Sequence, residues 1–245
     1  MIERLIKLTK YNRDWMKYVA LRFGRMNAEE SVVFRLRNGQ KIRLFRDARF
    51  ILNEIYLDRV YDVPGVDLGL CTSVLDIGAN VGAFALYTVS KAPQASVYCF
   101  EPARKNYDML VRNLTTNRAN VRAYRLAVAA DCGTVPLVTG DLSINYSIRA
   151  TSSSSEIVQT VNMSEVFAMA GVDRFDFVKM DVEGAELEIL ASCTDEQLRR
   201  MSAISMEWHH STRELQSAVE RLRSIGFEAT AQTIDNRYLK ARFLG

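Results

Sequence analysis

The stretch VLDIGANVGAF, residues 74–84, decides the fold. Its first half is a short apolar run that ends at a glycine, as buried parallel strands do, and its second half opens a helical pattern that Pro93 ends. Gly78 and Gly82 allow the backbone to approach a ligand, and the positive end of the helix faces that ligand. A strand, a glycine-rich turn and a helix in this order predict a binding crevice at the carboxyl edge of a parallel sheet.

The remainder of the chain alternates between strand and helix patterns. Apolar runs at 95–102, 121–129, 175–183 and 203–208 predict four further strands. The Ser211-x-x-Glu214 capping box opens the clearest of the intervening helices. Residues 227–244 predict a terminal hairpin with the turn TIDN (233–236), and TSSSSE (151–156) predicts a mobile loop. We therefore expect an α/β fold whose mostly parallel sheet carries helices on both faces.

The first 70 residues follow a different pattern and predict an extension or cap, ahead of a ligand-binding domain over 71–245. Residues 1–30 and 50–62 are helical in pattern, and Asn38-Gly39 predicts a β-hairpin between them. Residues 1–50 contain 13 Lys and Arg against 5 Asp and Glu, a balance of +8, so the remainder carries −5. This basic segment predicts a dimer contact, a membrane surface contact or an acidic partner.

Composition excludes several classes of protein. With 245 residues, 48% hydrophobic and 25% charged, the chain is neither collagen-like, disordered nor a disulfide scaffold. No apolar run approaches the roughly 18 residues of a membrane span. The N-terminus lacks the pattern of a signal peptide, and the four cysteines are far apart, so we expect a cytoplasmic protein.

The glycine spacing discriminates between cofactors. A nicotinamide fingerprint reads G-x-G-x-x-G, whereas this chain has Asp76-x-Gly78-x-Asn80-x-Gly82. A carboxylate two residues before the first glycine repels a pyrophosphate and suits a cation or an amino group, which favours S-adenosylmethionine over NAD. Glu101 ends the next strand, where its carboxylate could accept both hydroxyls of a ribose.

VLDIGANVGAFALY, CFEP, the AV of RLAVA, FVKMDVEGAELEIL and ISMEWH resemble the class I S-adenosylmethionine-dependent methyltransferases, and among them the FkbM family, over residues 50–230. The resemblance implies a Rossmann-like, seven-stranded sheet with an antiparallel last strand. It also implies O-methylation of a sugar, glycan, glycolipid or natural-product hydroxyl. It places Asp76, Gly78 and Gly82 at the methionine side of the cofactor, Glu101 at the ribose and Ala127 near the adenine. Asn80 and Asp181 are the other two predicted cofactor-binding residues.

Five residues at the ends of the fourth and fifth strands are candidates for the chemistry, and three of them are favoured: Asp181, Glu207 and His209. The other two are Glu183 and His210. Alternation along a strand places Glu207 and His209 on one face, and Trp208 and His210 on the other, so His209 is favoured over His210 as the base. The same three residues could instead hold a divalent cation that acidifies a hydroxyl. Glu183, Glu186 and Glu188 are interpreted as favourable charge at a helix N-terminus.

Three other functions remain open at this point: RNA methylation, NAD-dependent oxidation and cofactor binding without catalysis. No two prolines are adjacent and no cysteine follows a proline, which disfavours base methylation through those motifs. No nucleic-acid module is visible. We predict a methyltransferase that uses S-adenosylmethionine and acts on a small-molecule or glycan hydroxyl.

Overall fold

The computed structural model describes residues 2–23, 30–139, 146–147, 155–232 and 238–245. Its helices are α1 (Ile2–Tyr11), α2 (Trp15–Arg22), α3 (Ile51–Asn53), α4 (Ala83–Lys91), α5 (Arg104–Thr116), α6 (Met163–Ala170), α7 (Glu186–Ser192), α8 (Asp195–Arg199) and α9 (Thr212–Ser224). Its strands are β1 (Ser31–Arg35), β2 (Lys41–Phe45), β3 (Ser73–Ile77), β4 (Ser96–Phe100), β5 (Val121–Tyr124), β6 (Ala127–Val128), β7 (Gly133–Thr139), β8 (Tyr146–Ser147), β9 (Ser155–Val161), β10 (Phe177–Met180), β11 (Ala203–Glu207), β12 (Phe227–Gln232) and β13 (Tyr238–Phe243).

A seven-stranded sheet in the order β12-β13-β11-β10-β3-β4-β5 forms the centre of the described chain. The strand β3 pairs in parallel with both β10 and β4, so the predicted glycine turn lies at the middle of the carboxyl edge. The strand β13 is antiparallel to both β11 and β12. The predicted α/β fold and its antiparallel terminal hairpin are confirmed, while the TIDN turn lies outside the described residues.

The two faces of the sheet carry different layers. Side chains alternate along β3, so Leu75 and Ile77 pack with α6, α7 and α9 on one face. Val74 packs on the other face, in a core that also contains Phe34, Leu44 and Leu52 of the first 70 residues. The N-terminal extension therefore shares its core with the sheet. The division of the chain into two domains at residue 70 stays a prediction.

The extension contains the predicted hairpin and shorter helices than expected. Strands β1 and β2 pair on either side of the Asn38-Gly39 turn, where Gly39 has a φ of 92°. The single helix expected over 1–30 is α1 followed by α2, with residues 24–29 outside the description. The helix expected over 50–62 is α3 and one π-helical turn, Glu54–Asp58, which ends at Arg59 in the left-handed conformation. None of the described helices has the length and apolar character to cross a membrane.

The third predicted strand, residues 121–129, is wrong as a single strand. The segment β5 pairs with β4, whereas β6 leaves that sheet and pairs in parallel with β9. The strands β6, β9, β7 and β8 form a second sheet that the sequence did not predict. An apolar run indicates that a segment is buried but not which strand it pairs with. The division of residues 121–129 between two sheets could therefore not be predicted from the sequence. Of the loop predicted at 151–156, residues 151–154 lie outside the description and the last two residues begin β9.

Candidate functional site

Two cavities meet at the carboxyl edge of the central sheet. The first, which we name the glycine-turn cavity, is lined by Gly78 and by residues at the ends of β4, β6 and β10. The second, the extension cavity, lies between the same edge and the α3 segment of the N-terminal extension. Asn80, Asp181 and Glu183 line both cavities, so the two cavities adjoin at these residues.

The glycines of the turn have structural reasons to be glycine. Gly78 has a φ of 73°, and a Cβ on it would lie 1.7 Å from the backbone oxygen of Asp181. Gly82 has a φ of 83°, and a Cβ there would lie 2.5 Å from the side chain of Leu110. The absence of a side chain at Gly78 thus lets the end of β10 approach the turn, which brings Asp181 to the site. Gly82 lines neither of the two cavities.

Two residues at the junction of the cavities have left-handed backbones although neither is glycine. Asn80 has a φ of 51° and Glu183 a φ of 54°. A local hydrogen bond offsets part of the strain at Asn80, because the side-chain oxygen of Asn80 accepts the N–H of Val81 at 2.8 Å. Conformations of this kind cost about 1–3 kcal/mol and cluster at functional sites. Their location at the junction supports the assignment of this edge as the site.

Glu101 lies buried at the end of β4 and lines the glycine-turn cavity together with Ala127. Its Oε2 accepts the backbone N–H of Asn80 at 2.8 Å, and its Oε1 accepts that of Ala103 at 2.9 Å. Burial raises the pKa of Glu101 to about 7, against the opposing effect of these two hydrogen bonds. Each carboxylate oxygen keeps a second lone pair, so the group can still accept hydrogen bonds from a ligand.

Asp76 lies behind the cavities and does not line either of them. It is completely buried, and its Oδ1 lies 3.3 Å from Nζ of Lys179. Lys179 also donates to the backbone oxygen of Gly78 at 2.6 Å and lies 3.7 Å from Asp181. Burial opposes the charge on Lys179, but the two aspartates outweigh burial and raise its pKa. The cation beside Asp76 is thus this lysine, and direct contact of Asp76 with a cofactor stays a prediction.

A tyrosine of the extension connects two of the candidate catalytic carboxylates. The hydroxyl of Tyr61 lies 3.0 Å from Asp181 Oδ2 and 3.3 Å from Glu207 Oε2. Burial and the negative charge of Asp181 raise the pKa of Glu207 to about 7. The same two causes raise the pKa of Glu54, which lines the extension cavity from the other side, to about 7. The extension cavity therefore contains several carboxylates, and their mutual repulsion favours the protonated forms of Glu54 and Glu207.

His209 is held by a buried carboxylate. Its Nδ1 lies 2.8 Å from Oε1 of Glu186, which is completely buried. Its Nε2 points toward Glu183 at 3.5 Å and Glu207 at 3.9 Å. Burial would lower the pKa of His209, but the hydrogen bond and charge of Glu186 outweigh it and raise this pKa to about 9. The imidazole is therefore a cation at neutral pH.

The described chain also contains one group of side chains with the spacing of a metal site. Donor atoms of Asp181, Glu183 and His209 all lie within 4.8 Å of one another. The predicted metal-binding trio had Glu207 in place of Glu183. Glu207 lies next to the observed group, with its Oε1 3.9 Å from Nε2 of His209. The arrangement offers two carboxylates at the junction of the two cavities and one imidazole beside them.

Comparison with known proteins identifies the family. The FkbM methyltransferase domain matches residues 76–231, which include the glycine turn, Glu101 and the acid–base set. The chain belongs to the FkbM methyltransferase family. It is accordingly an S-adenosylmethionine-dependent methyltransferase.

Three proteins of similar sequence are named as methyltransferases. Methyltransferase SdnD of Sordaria araneosa is 31% identical over 67% of this chain and 76% of its own. The 31-O-demethyl-FK506 methyltransferase FkbM of Streptomyces tacrolimicus is 28% identical over 76% of this chain and 84% of its own. The hexuronic acid methyltransferase AglP of Haloferax volcanii is 27% identical over 55% of this chain and 54% of its own.

Solved structures show the same fold at low sequence identity. An FkbM methyltransferase of Methylobacillus flagellatus KT aligns with a TM-score of 0.51 at 16% identity, over 93% of this chain and 59% of that one. Fibrillarin of Methanococcus jannaschii aligns with a TM-score of 0.50 at 13% identity, over 90% of this chain and 96% of that one. The class I methyltransferase fold that the FkbM resemblance implied is thereby confirmed.

The structure of this FkbM protein assembles most of the predicted site residues and adds others. Asp181, Glu207 and His209 lie close to one another, although His209 lines neither cavity, and Trp208 packs against His210, 5.2 Å between ring centres. Sequence reasoning missed three contributors, Glu54, Tyr61 and Lys179. It interpreted Glu186 only as charge at a helix N-terminus and not as the partner of His209. Strand alternation could have indicated Lys179, which lies two residues before Asp181. Nothing local indicated Glu54 or Tyr61, because the fold alone brings the extension to the sheet.

Proposed function

We propose that this protein is an O-methyltransferase that acts on a hydroxyl of a sugar, glycan or natural-product acceptor. S-adenosylmethionine would occupy the glycine-turn cavity and the acceptor the extension cavity. The single observation that carries the proposal is the junction of the two cavities at Asn80, Asp181 and Glu183. Methyl transfer requires donor and acceptor to meet in line, and two pockets that share a boundary support such a meeting.

The residues of the glycine-turn cavity fit the cofactor. S-adenosylmethionine supplies an electrophilic methyl group on a positively charged sulfur. Glu101 would hold the ribose hydroxyls through its remaining lone pairs. Among the described residues, Asp181 Oδ1 is buried and has no hydrogen-bond partner, so it can accept from a ligand's amino group. The carboxylates at the junction also favour a cationic ligand over a pyrophosphate.

The extension cavity suits an acceptor that is partly apolar and carries hydroxyls. Its walls combine Phe50, Ile51 and Phe84 with the polar groups of Glu54 and Tyr61. The name of one relative, a 31-O-demethyl-FK506 methyltransferase, supports an oxygen acceptor, and the name of another, a hexuronic acid methyltransferase, supports a sugar acceptor. We expect the reaction to take place in the cytoplasm, which accords with the four cysteines being free thiols.

A hydroxyl becomes a better nucleophile when a base accepts its proton, and the geometry favours Glu207 for that role. Glu207 lines the extension cavity, and with a pKa of about 7 it is ionised in a large fraction of molecules at neutral pH. His209, the base favoured from the sequence, is protonated at that pH and lines neither cavity. His209 would then stabilise the negative charge of the carboxylates around it.

Binding and product formation test the proposal directly. Calorimetry should detect binding of S-adenosylhomocysteine and no binding of NAD. Incubation with labelled S-adenosylmethionine and a panel of hydroxyl compounds should then give an alkali-stable methyl ether. Methylation of nitrogen acceptors in the same panel, with no ether formed, would reject an O-methyltransferase. Binding of NAD without S-adenosylhomocysteine would reject the cofactor.

Two variants test the base. Glu207→Gln should lower kcat by about 10²–10⁴ without changing the affinity for S-adenosylhomocysteine. Glu220→Gln makes the same chemical change at an exposed position on α9 and serves as the matched control. If His209→Ala shows the full loss while Glu207→Gln remains active, the imidazole is the base.

A second version of the proposal uses a divalent cation. It rests on the grouping of Asp181, Glu183 and His209, with Glu207 beside them. The bond from His209 Nδ1 to Glu186 supports it, because a carboxylate commonly orients an imidazole that binds metal through its other nitrogen. Oxygen-rich ligands of this kind suit Mg²⁺ or Mn²⁺. Activity should then disappear with a chelator and return with added Mg²⁺ or Mn²⁺, and full activity in the chelator would exclude this version.

A further inference from the structure

The N-terminal extension contains a third concavity, on the side of the π-helical turn that faces away from the catalytic cavities. We name it the basic cleft. It is about 610 Å³ in volume, and it is bounded by α1, the β1–β2 turn, the π-helical turn and the end of α4. Tyr56 and Leu57 of the turn line the cleft, whereas Glu54 and Ile55 of the same turn line the extension cavity.

Charge distinguishes this cleft from the catalytic cavities. Five basic side chains and no acidic side chain line it: Lys7, Lys10, Arg37, Arg59 and Lys91. All five are exposed to solvent at the rim. Arg59 also pairs with Asp62 at 3.8 Å. Five cations converging on one concavity repel one another, so an anion bound there would be stabilised by all of them.

Contacts within the protein hold several of these cations in position before any ligand binds. Arg37 donates through Nε to the backbone oxygen of Thr9 at 2.5 Å, and its remaining guanidinium nitrogens can still donate to a ligand. Lys91 lies over the ring of Tyr87, 5.5 Å from its centre. Arg59 contacts Asp62, with 3.8 Å between Nη1 and Oδ2. Cations fixed in this way lose less conformational entropy when they bind a ligand.

The floor of the cleft is formed by tyrosine rings. Tyr11 stacks on Tyr56 with 5.8 Å between ring centres, and Tyr56 meets the edge of Tyr87 at 5.2 Å. Aromatic surface beside guanidinium and ammonium groups is suited to a ligand with an organic portion next to its anionic group. A bare ion would use only the rim.

We propose that the basic cleft binds the phosphate group of a phosphate-bearing organic molecule. Phosphate matches the donors because arginine binds it in a fork and lysine binds it as a point charge. The carboxylate-rich extension cavity repels a phosphate group. One π-helical turn thus lies between the anion-binding cleft and the catalytic cavities. The proposal does not depend on the identity of the methyl acceptor, because the cleft is a distinct surface.

Binding measurements test this inference on the full chain. Calorimetry with inorganic pyrophosphate and co-sedimentation with phosphatidylglycerol vesicles probe the two sources of phosphate, with phosphatidylcholine vesicles as the neutral comparison. We expect at least one of the two phosphate probes to bind. Binding of pyrophosphate alone identifies a soluble phosphate ester as the ligand, and binding of vesicles alone identifies a lipid headgroup.

A pair of double variants with equal charge change locates the binding. Lys10→Gln with Lys91→Gln removes two cations of the cleft, and should weaken binding by about ten-fold or more. Arg112→Gln with Arg213→Gln removes two exposed cations elsewhere and should leave the affinity nearly unchanged. Loss of affinity in both double variants alike, or in neither, would overturn the proposal, as would the failure of both phosphate probes to bind. Circular dichroism shows whether each variant is folded.

Discussion

Glu186 is a charged side chain in the interior of the protein, and its surroundings explain why it can remain charged. Burial would raise its pKa, but the hydrogen bond and the charge of His209 lower it. The N–H of Gly184 also donates to it at 3.2 Å. Breaking such a pair by removing one partner leaves a buried charge uncompensated. The glutamate thus fixes both the orientation and the protonation of His209.

Replacing Glu186 by Gln should therefore release the proton of His209. We expect the pKa of His209 to fall from about 9 toward its ordinary value near 6.5. Because the chain has only two histidines, ring resonances in an NMR titration can be assigned by substituting each in turn. A histidine pKa that is raised in the folded state stabilises the protein only while the proton is bound. The wild-type protein should therefore lose this stabilisation as pH rises toward 9. The variant should lack it at every pH. An unchanged His209 titration would remove Glu186 as its positioning residue.

Glu101 provides a second prediction at the level of a single residue. Its two carboxylate oxygens already accept backbone N–H groups, so Glu101→Gln keeps the size and part of the hydrogen bonding while removing charge and one acceptor. We expect affinity for S-adenosylhomocysteine to fall by about 1–3 kcal/mol. Calorimetry measures this loss, and the exposed Glu220→Gln supplies the control. Undiminished affinity would place the ribose elsewhere.

At the scale of elements, the π-helical turn Glu54–Asp58 separates the extension cavity from the basic cleft, since its residues line both. The π turn makes Glu54 and Ile55 face the sheet edge, where a regular helix would rotate successive side chains differently. Glu54 contributes negative charge that helps to raise the pKa of Glu207. The extension therefore acts on the chemistry through electrostatics as well as through shape.

Neutralising Glu54 should shift the pH dependence of the reaction. In Glu54→Gln the carboxyl of Glu207 loses a negative neighbour, so its pKa falls from about 7 and the rise of kcat with pH moves to lower pH. Affinity for S-adenosylhomocysteine should not change, because Glu54 does not line the glycine-turn cavity. Asp58→Asn, an exposed change on the same turn, should give a smaller shift. Equal shifts in both variants would mean that the charge acts at long range and not from the cavity.

At the scale of the whole molecule, the sheet was more predictable from sequence than the extension. The strand at 73–78 and its neighbours carry local signals, because apolar runs, a glycine turn and a capping box each specify their own backbone. Asp181 and Glu207 could be placed together from topology alone. The approach of Tyr61 to both, and the pairing of β6 with the second sheet, depend on contacts between distant segments that no periodicity records.

The first two helices illustrate such distant contacts, and they support the wall of the extension cavity. Leu8, Tyr18 and Leu21 lie in the core shared with the sheet. The Tyr11 hydroxyl bonds Asn53 at 2.5 Å, and Asn53 in turn donates to the Tyr18 hydroxyl at 2.7 Å. Because Asn53 directly precedes Glu54, these two tyrosines fix the start of the turn that lines the cavity.

Deletion of residues 1–30 should therefore raise the KM for the acceptor while leaving affinity for S-adenosylhomocysteine unchanged, since none of those residues lines the glycine-turn cavity. It should also reduce stability, because buried apolar side chains and two tyrosine hydrogen bonds are lost. Tyr11→Phe with Tyr18→Phe removes only the hydrogen bonds and should raise KM by a smaller factor in a chain that retains its core. Calorimetry, steady-state kinetics and circular dichroism measure the three quantities. If the truncated protein stays folded but no longer binds S-adenosylhomocysteine, the N-terminal segment closes the cofactor site instead of supporting the acceptor wall.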